Sequence, residues 1–422
     1  MGPGIFALSS GPPPCGVAVL RLSGQGVLRA VGRLLRARRL PAPRRASVRT
    51  LVDPASRQPL DRALVLVFPA PASFTGEDMA ELHLHGGPAV VAAVQQALQA
   101  LGLRPAEAGE FTRRAFEGGR IDLTQAEALA DLIAAETEAQ RAQALAGAGG
   151  RLRALAEGWR ARLVELRALA EAELDFADEP DVGSTDLGPA LATLAAEVEQ
   201  ALASAPVAER VRQGLVIAVT GPPNAGKSTL VNALAAREVA IVSPHPGTTR
   251  DVIEVRLDLG GVPATLLDTA GLRDSSDPVE AEGIRRARAR AAEADLVLAL
   301  GDGPGLRVVN RIDLTGEAPG IRDGVAYVSA LTGAGLDELR AWLVAWARRQ
   351  VPRGEPPVVT TARQAQLLGE TQACLREALV ERDPVLRAEA LRLAADALGR
   401  LTGAIGPEEV LGAIFGRFCI GK

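Results

Sequence analysis

The chain has 422 residues, of which 47% are hydrophobic, 23% charged and only 3% aromatic, the composition of ordinary globular domains and long enough for roughly two to four of them. A net charge of −4 argues against a generally basic nucleic-acid coat, so any RNA contact has to be a local patch. Three dispersed cysteines, Cys15, Cys374 and Cys419, speak against a disulfide framework or a zinc site and fit a reducing compartment.

With no charged leader before an apolar run and no stretch of 18 apolar residues, a soluble, cytoplasmic protein without a membrane contact is expected. Residues 5–116 set short β-type runs (16–22, 63–68 and 80–85) among Gly/Pro turns and two helical stretches, which reads as an α+β domain. From about 122 to 212 Ala, Leu, Glu and Arg dominate. There Leu152, Leu155, Trp159, Leu163, Leu166 and Leu169 recur at helical spacing and predict one apolar stripe. At Leu215 the pattern changes to the strand, loop and helix alternation of a nucleotide-binding α/β domain, which persists to about Arg349. Pro352, Pro356 and Pro357 then form a linker, and helical periodicity returns from Thr361. The expected fold class is multidomain, α/β and α+β. An N-terminal domain occupies 1–118, a helical domain is split into 119–212 and 351–422, and an α/β domain is inserted at 213–350.

Of the 47 basic residues only Lys227 and Lys422 are lysines, so these mark places where a compact ammonium, and not a planar fork, is wanted. Lys227 lies in Gly221-Pro-Pro-Asn224-Ala225-Gly226-Lys227-Ser228, directly after the apolar run 215–220 and before the helix-like run from Thr229. Glycines let backbone N–H groups curl around phosphates, Lys227 neutralises β/γ oxygens, and the Ser228 hydroxyl suits Mg²⁺. Further elements follow in the order a GTPase requires. Thr248 and Thr249 lie in a loop with Ser243, Pro244, His245, Pro246 and Gly247, suited to a switch that senses the γ-phosphate. Asp268-Thr269-Ala270-Gly271 ends a strand-like run, with Asp268 toward Mg²⁺ and the Gly271 N–H toward the γ-phosphate. Asn310-Arg311-Ile312-Asp313 resembles the NKxD motif, with Asp313 set to read the guanine N1/N2 edge, and Ser329-Ala330-Leu331 resembles the base loop.

The pattern departs from the usual G domain in three places. Arg311 replaces lysine, whose stem packs on the base, which puts nucleotide affinity in question. Leu272 stands where a water-orienting glutamine is common, so hydrolysis needs another positioning group and another cation. Only residues 301–307 separate two strand-like runs, too few for a helical crossover, leaving either a trimmed G domain or an altered sheet edge.

Other signals take plainer readings. His83 and His85 share a strand face but lack a third ligand for a metal. The arginines from Arg29 to Arg49 face solvent or touch RNA phosphates. Arg285, Arg286 and Arg290 read as surface, and the acidic run 175–181 as a solvated loop.

Taken together, Arg21-Leu-Ser-Gly24, Ser73-Phe-Thr-Gly-Glu-Asp78, His85-Gly-Gly-Pro88, Gly109-Glu-Phe-Thr112, Asp122-Leu-Thr-Gln-Ala-Glu127, Asn224 to Ser228, Gly247 to Asp251, Asp268 to Arg273 and the terminal Phe418-Cys419-Ile420-Gly421-Lys422 resemble the bacterial tRNA modification GTPase MnmE (TrmE) family over essentially the whole chain. The resemblance implies a cytoplasmic homodimer that assembles with an MnmG-like flavoprotein into a heterotetramer. Such a complex installs an aminomethyl or carboxymethylaminomethyl group on C5 of the wobble uridine (position 34) of certain tRNAs. It implies GTP and Mg²⁺, the latter on Ser228 and Thr249. It also implies K⁺, on Asn224, Ser243, His245 and Thr248, in the role of an arginine finger when two G domains meet. Glu280 would orient water, with Glu282 its neighbouring competitor. A one-carbon tetrahydrofolate (5-formyl or 5,10-methylene) would meet Arg21, Glu81, Arg120 and Lys422, while FAD and NADH belong to the partner. Cys419 is either a nucleophile, if its pKa is lowered, or tail packing with Phe418. Two rival readings are a regulatory ribosome-assembly GTPase acting as an RNA-binding switch and a folate-dependent aminomethyl-transfer enzyme. The first leaves the terminal motif and N-terminal domain unexplained, the second the GTPase elements.

Overall fold

The computed structural model describes residues 2–37, 39–175, 186–237, 254–268, 292–351, 354–405, 408–416 and 418–421. The chain divides into two compact units, 1–130 with 399–422, and 131–398.

The first unit is built on a six-stranded sheet of β1 (Ile5–Leu8), β2 (Cys15–Ser23), β3 (Ser47–Val52), β4 (Pro59–Phe68), β5 (Met79–Gly86) and β6 (Arg104–Pro105), in the order β3-β4-β5-β2-β1-β6. Neighbours are antiparallel except β1 and β6. Period-two alternation decides what each face does. Ala18, Leu20 and Leu22 of β2, Val65 and Val67 of β4, and Leu82 and Leu84 of β5 form a core with the helices Val27–Leu34 and Pro88–Ala100. Truncating one of these leucines to alanine costs about 2–5 kcal/mol. The alternate positions Arg21, Glu81, His83 and His85 therefore fall on the opposite face. His83 bonds Glu81 and His85 bonds Asp61, and among the described residues no group of ligands that could hold a metal forms.

A third helix, Glu110–Glu117, adds to the two expected from sequence. Of its eight residues two are Glu, one Thr and two Arg, so hydrophobic periodicity alone does not reveal it. The terminal segment belongs to this unit. Gly109 has φ +68, and a Cβ there would lie 2.2 Å from the Phe415 carbonyl oxygen. Ala108 pairs with Ile420, the Ser9 hydroxyl donates to the Gly421 carbonyl at 3.0 Å, and Phe418 is buried with Leu123, Ala126, Ile414 and Phe415.

In the second unit the helix Arg151–Asp175 carries the expected stripe with one change. Leu152, Trp159, Leu163 and Leu166 are buried, but Leu169 is 45% exposed and Leu155 only half-buried, and Ala156 and Ala170 complete the seam instead. The 4-3 spacing of 152, 156, 159, 163, 166 and 170 keeps one face inward. The nucleotide-type sheet follows: β7 (Leu215–Thr220), β8 (Glu254–Asp258), β9 (Pro263–Asp268), β10 (Leu296–Ala299), β11 (Leu306–Val309), β12 (Gly320–Arg322) and β13 (Val325–Tyr327), ordered β12-β13-β11-β10-β7-β9-β8. Strands β9, β7, β10, β11 and β13 run parallel, and the two edge strands are antiparallel to their neighbours. At the end away from the P-loop, the ion pairs Arg212–Asp131 (3.2 Å) and Arg256–Glu136 (2.9 Å) join the sheet region to the preceding helices.

The short connection between β10 and β11 trims the domain without disturbing the sheet. The two strands are parallel neighbours, Leu298 opposite Leu306, although no helix intervenes. Glycine makes this possible: Gly301 has φ +146 and Gly305 φ +96, and a Cβ on Gly305 would lie 2.2 Å from the Val297 carbonyl oxygen. The backbone thus doubles back against its own strand where no side chain fits. Among the described residues no helix is long and apolar enough to cross a membrane.

Gly305→Ala is expected to destabilise the protein by about 1–3 kcal/mol. Gly303→Ala, whose Cβ would be 3.5 Å from Ala299 Cβ, should stay within about 0.5 kcal/mol of the parent. Urea unfolding of the two variants checks the contrast.

Candidate functional site

The nucleotide site lies at the carboxyl ends of the parallel strands, where open α/β sheets bind ligands. Strand β7 delivers the chain into a loop whose conformation is dictated residue by residue. Gly221 has φ +142, with Leu300 O only 2.6 Å from where its Cβ would be. Asn224 is itself left-handed (φ 63) and exposed, and Gly226 has φ +91. Lys227, buried at the start of the helix Lys227–Arg237, donates from Nζ to the carbonyls of Gly221 (2.8 Å) and Pro222 (2.9 Å). The ammonium is thereby held over the loop, where it neutralises anions drawn to the loop's N–H groups. Ser228 Oγ donates to Asp268 Oδ2, and Asp268 is buried at the end of β9. A hydroxyl beside a carboxylate is a hard-oxygen donor set that fits Mg²⁺. Thr229 is exposed on the same helix.

The base-side loops are tied to this loop by one side chain. Asn310 Nδ2 donates to Ala225 O at 3.1 Å, while Asn310 Oδ1 accepts from the N–H of Ala330 (3.0 Å) and of Arg311 (2.9 Å). Arg311 adopts φ 68 and its guanidinium donates to Asn224 O. The arginine that replaces lysine therefore braces the P-loop, a contact its stem-on-base role did not anticipate. Asp313 accepts from the Ser329 hydroxyl, Ile312 is buried, Ala330 nearly so, and Leu331 is 81% exposed. Ser243, Pro244, His245, Pro246, Gly247, Thr248, Thr249, Thr269, Ala270, Gly271, Leu272, Glu280, Glu282, the Arg285–290 stretch, most of the acidic run and Lys422 lie outside the described residues.

The first unit has two cavities of its own. Arg21 and Glu81 are directly opposite on β2 and β5 and form an ion pair at 3.2 Å. They line a cavity of about 290 Å³ with Phe68, Phe74, Met79, Thr112 and Leu129. Thr112 is fully buried and its Oγ1 has no hydrogen-bond partner. An orphaned hydroxyl costs about 1–3 kcal/mol, so aromatic walls, a charged pair and this hydroxyl suit a flat polar heterocycle. Motif reading had placed Thr112 in Gly109-Glu-Phe-Thr112 without giving it a role. Phe74 likewise lies in Ser73-Phe-Thr-Gly-Glu-Asp78 without a role of its own, while Phe68 and Met79 carried no signal, because alternation predicts only that such residues are on a face. Arg120 is not in this cavity. It lines a second one, of about 510 Å³, its stem packed across Gly76, where φ is +77 and a Cβ would lie 3.3 Å from Arg120 Cδ. Of the terminal residues Phe418 packs inward while Cys419 is exposed, so Phe418 supplies the packing on its own.

Under the second cavity is a buried ionic frame. Arg114 bridges Glu77 (3.0 Å) and Glu110 (2.8 Å), and Arg104 pairs with Glu110 at 2.6 Å. Glu77 also accepts from the Gly2 N–H and the Ser23 hydroxyl. Burial alone pushes the Glu110 carboxyl upward, but hydrogen bonds from Arg104, the Glu107 N–H and Arg114 outweigh it and hold the group at about 2, against an ordinary 4.5. A depressed carboxyl contributes stability that is fully present above its unfolded pKa and is lost as pH falls through the folded one. The first unit should therefore lose stability between about pH 5 and pH 2. Glu110→Gln, which removes the carboxylate that Arg104 and Arg114 share and leaves Arg114 with Glu77 alone, should cost on the order of 3 kcal/mol at neutral pH and flatten that acid limb. Unfolding followed across pH 2–8 measures both.

Comparison with known proteins identifies a family. Residues 4–120 match the family "GTP-binding protein TrmE N-terminus", and residues 123–419 match the "MnmE helical domain". The tRNA modification GTPase MnmE of Rhodopseudomonas palustris (strain BisB5) is 51% identical, covering 99% of this chain and 98% of the relative. That of Parvibaculum lavamentivorans is 52% identical, covering 99% of each. Among solved structures, the G domain of the T. maritima FeoB iron transporter is 25% identical, covering 31% of this chain and 98% of that one with a TM-score of 0.21. With both family segments and full-length relatives above half identity, the chain belongs to the tRNA modification GTPase MnmE family.

Proposed function

We propose that this family member hydrolyses GTP at the loop 221–228 to drive modification of C5 of the wobble uridine of certain tRNAs, using a one-carbon tetrahydrofolate and an MnmG-like flavoprotein partner. The GTPase role in tRNA modification comes with the family. The observation that carries the nucleotide reading is the single amide of Asn310 joining the phosphate loop at Ala225 to the base loop at Ala330.

In this reading Asp313 accepts hydrogen bonds from the guanine N1 and N2 edge, positioned by Ser329. Ala330 and Leu331 border the ring, and Lys227 takes the β/γ oxygens. Ser228 and Thr249 hold Mg²⁺, which when bound neutralises developing phosphate charge, with Asp268 supporting through the Ser228 hydroxyl. Asn224, Ser243, His245 and Thr248 hold K⁺, which supplies the positive charge an arginine finger would otherwise bring. Glu280 orients the attacking water. Two copies meeting across their switches complete the potassium site, so the working form is a homodimer within a heterotetramer, in the cytoplasm. FAD and NADH reside on the partner.

In the first unit the Arg21–Glu81 pair orients the pterin edge, Thr112 gains a partner for its hydroxyl, and Phe68 and Phe74 exclude water. Arg120 and Lys422 meet the carboxylate-bearing tail of the folate. In this reading Cys419, exposed on a segment anchored through Ser9 and Gly421, takes part in the chemistry on the tRNA side. A ribosome-assembly switch would leave the folate-type cavity and this anchored tail without a use.

GTP turnover by the purified chain should rise at least about tenfold in KCl over NaCl at equal ionic strength, and Glu280→Ala should lower it about a hundredfold in KCl. Equal rates in the two salts would remove the potassium site from the reading.

A further inference from the structure

The folate reading leaves a mismatch in scale: the cavity that holds Arg120 is larger than the one that holds the Arg21–Glu81 pair, about 510 against 290 Å³. The two are back to back. Phe74 lines the smaller while its neighbours Thr75 and Gly76 line the larger, and Thr112 lines the smaller while Arg113 and Arg114 line the larger. A ligand touching both Glu81 and Arg120 must therefore be elongated and span residues 74–76.

The charges of the larger cavity are unevenly committed. Arg114 is locked between Glu77 and Glu110, and Arg104 is held by Glu110. Those four groups are a frame. Arg113 pairs with Glu117 in an i,i+4 contact whose side chains are 51% and 57% exposed, the kind of surface pair that exchanges readily for another anion. Arg120 makes no ion pair among the described residues. Two guanidinium groups thus remain for a ligand, each able to take a carboxylate bidentately, in more space than one terminal glutamate needs.

We infer that this cavity is a subsite for the γ-linked oligoglutamate tail of a one-carbon folate, so that the chain prefers oligoglutamylated over monoglutamylated cofactor. The inference rests on the folate reading above and deepens it. Arg120 meets the first glutamate next to residues 74–76, and Arg113 exchanges Glu117 for the carboxylates that follow.

The test is calorimetric titration of the full-length protein with 5-formyl-tetrahydrofolate bearing one or three glutamates, at low salt and in 0.5 M NaCl, with Arg113→Ala, Arg113→Lys and Arg120→Ala alongside. The triglutamate should bind about tenfold tighter at low salt. That ratio should fall toward one at high salt and in Arg113→Ala, and recover in part in Arg113→Lys. Because Arg113 is half exposed, its variants fold, which circular dichroism verifies. Equal affinities in the parent overturn the subsite while leaving the folate reading intact, as does a preference that neither arginine variant reduces. If neither form binds, the folate reading itself falls, and the subsite with it.

Discussion

One side-chain amide organises the nucleotide end of this protein. Asn310 donates to the Ala225 carbonyl and accepts from the N–H groups of Ala330 and Arg311, so the phosphate loop, 85 residues away, and the base loop, 20 residues away, share one half-buried polar group. The arrangement works only because residue 226 is glycine: a Cβ there would lie 2.4 Å from Asn310 Nδ2. Partly satisfied polar networks are costly and fully satisfied ones rigidify. That gives the P-loop a defined shape through its base-side neighbours as well as its own glycines. Arg311 adds a second strut to Asn224.

This constraint also explains how the domain tolerates a missing crossover helix. What Asn310 needs is the register of β11 between β10 and β13, and that register is kept by parallel pairing. A loop with glycine at 301, 303 and 305 replaces the helix at the cost of backbone freedom in the unfolded chain. The first unit follows a similar logic with ions in place of amides. Arg114, Glu77 and Glu110 form a buried frame, and Gly109 and Gly421, both at positive φ, let the terminal segment approach closely, Phe415 against Gly109 and Gly421 against Leu8, where a side chain on either glycine would collide.

Much of this was legible in the sequence, and the boundary is instructive. The strand–loop–helix around Lys227, the end of β9 at Asp268 and the order of the base motifs follow from local pattern, because apolar runs and glycine spacing encode backbone directly. The helical stripe was legible except for Ala156 and Ala170, since alanine is a weak hydrophobic signal. The helix Glu110–Glu117 was missed because it is short and buries Glu110 and Arg114 beside Phe111 and Ala115, with Arg114 held by Glu77, 37 residues away, which no local hydrophobic pattern carries. Thr112, Phe74 and the separation of Arg120 from Arg21 depend on how two segments fold back on each other. Motif spacing names such residues without saying which share a cavity. The reading that the β10–β11 link is a trimmed G domain, and not an altered sheet edge, also needed the strand register.

The central claim, that the Asn310-braced loops form a guanine-specific site, is tested most directly by nucleotide specificity at Asp313. A carboxylate facing the guanine N1 and N2 donors is replaced by an amide in Asp313→Asn, which presents a donor to the extra carbonyl of xanthine. Equilibrium binding of GTP and XTP to the parent and the variant should show GTP affinity falling by about a hundredfold and XTP affinity rising to overtake it. Unchanged GTP affinity in Asp313→Asn would mean that these loops do not read the base.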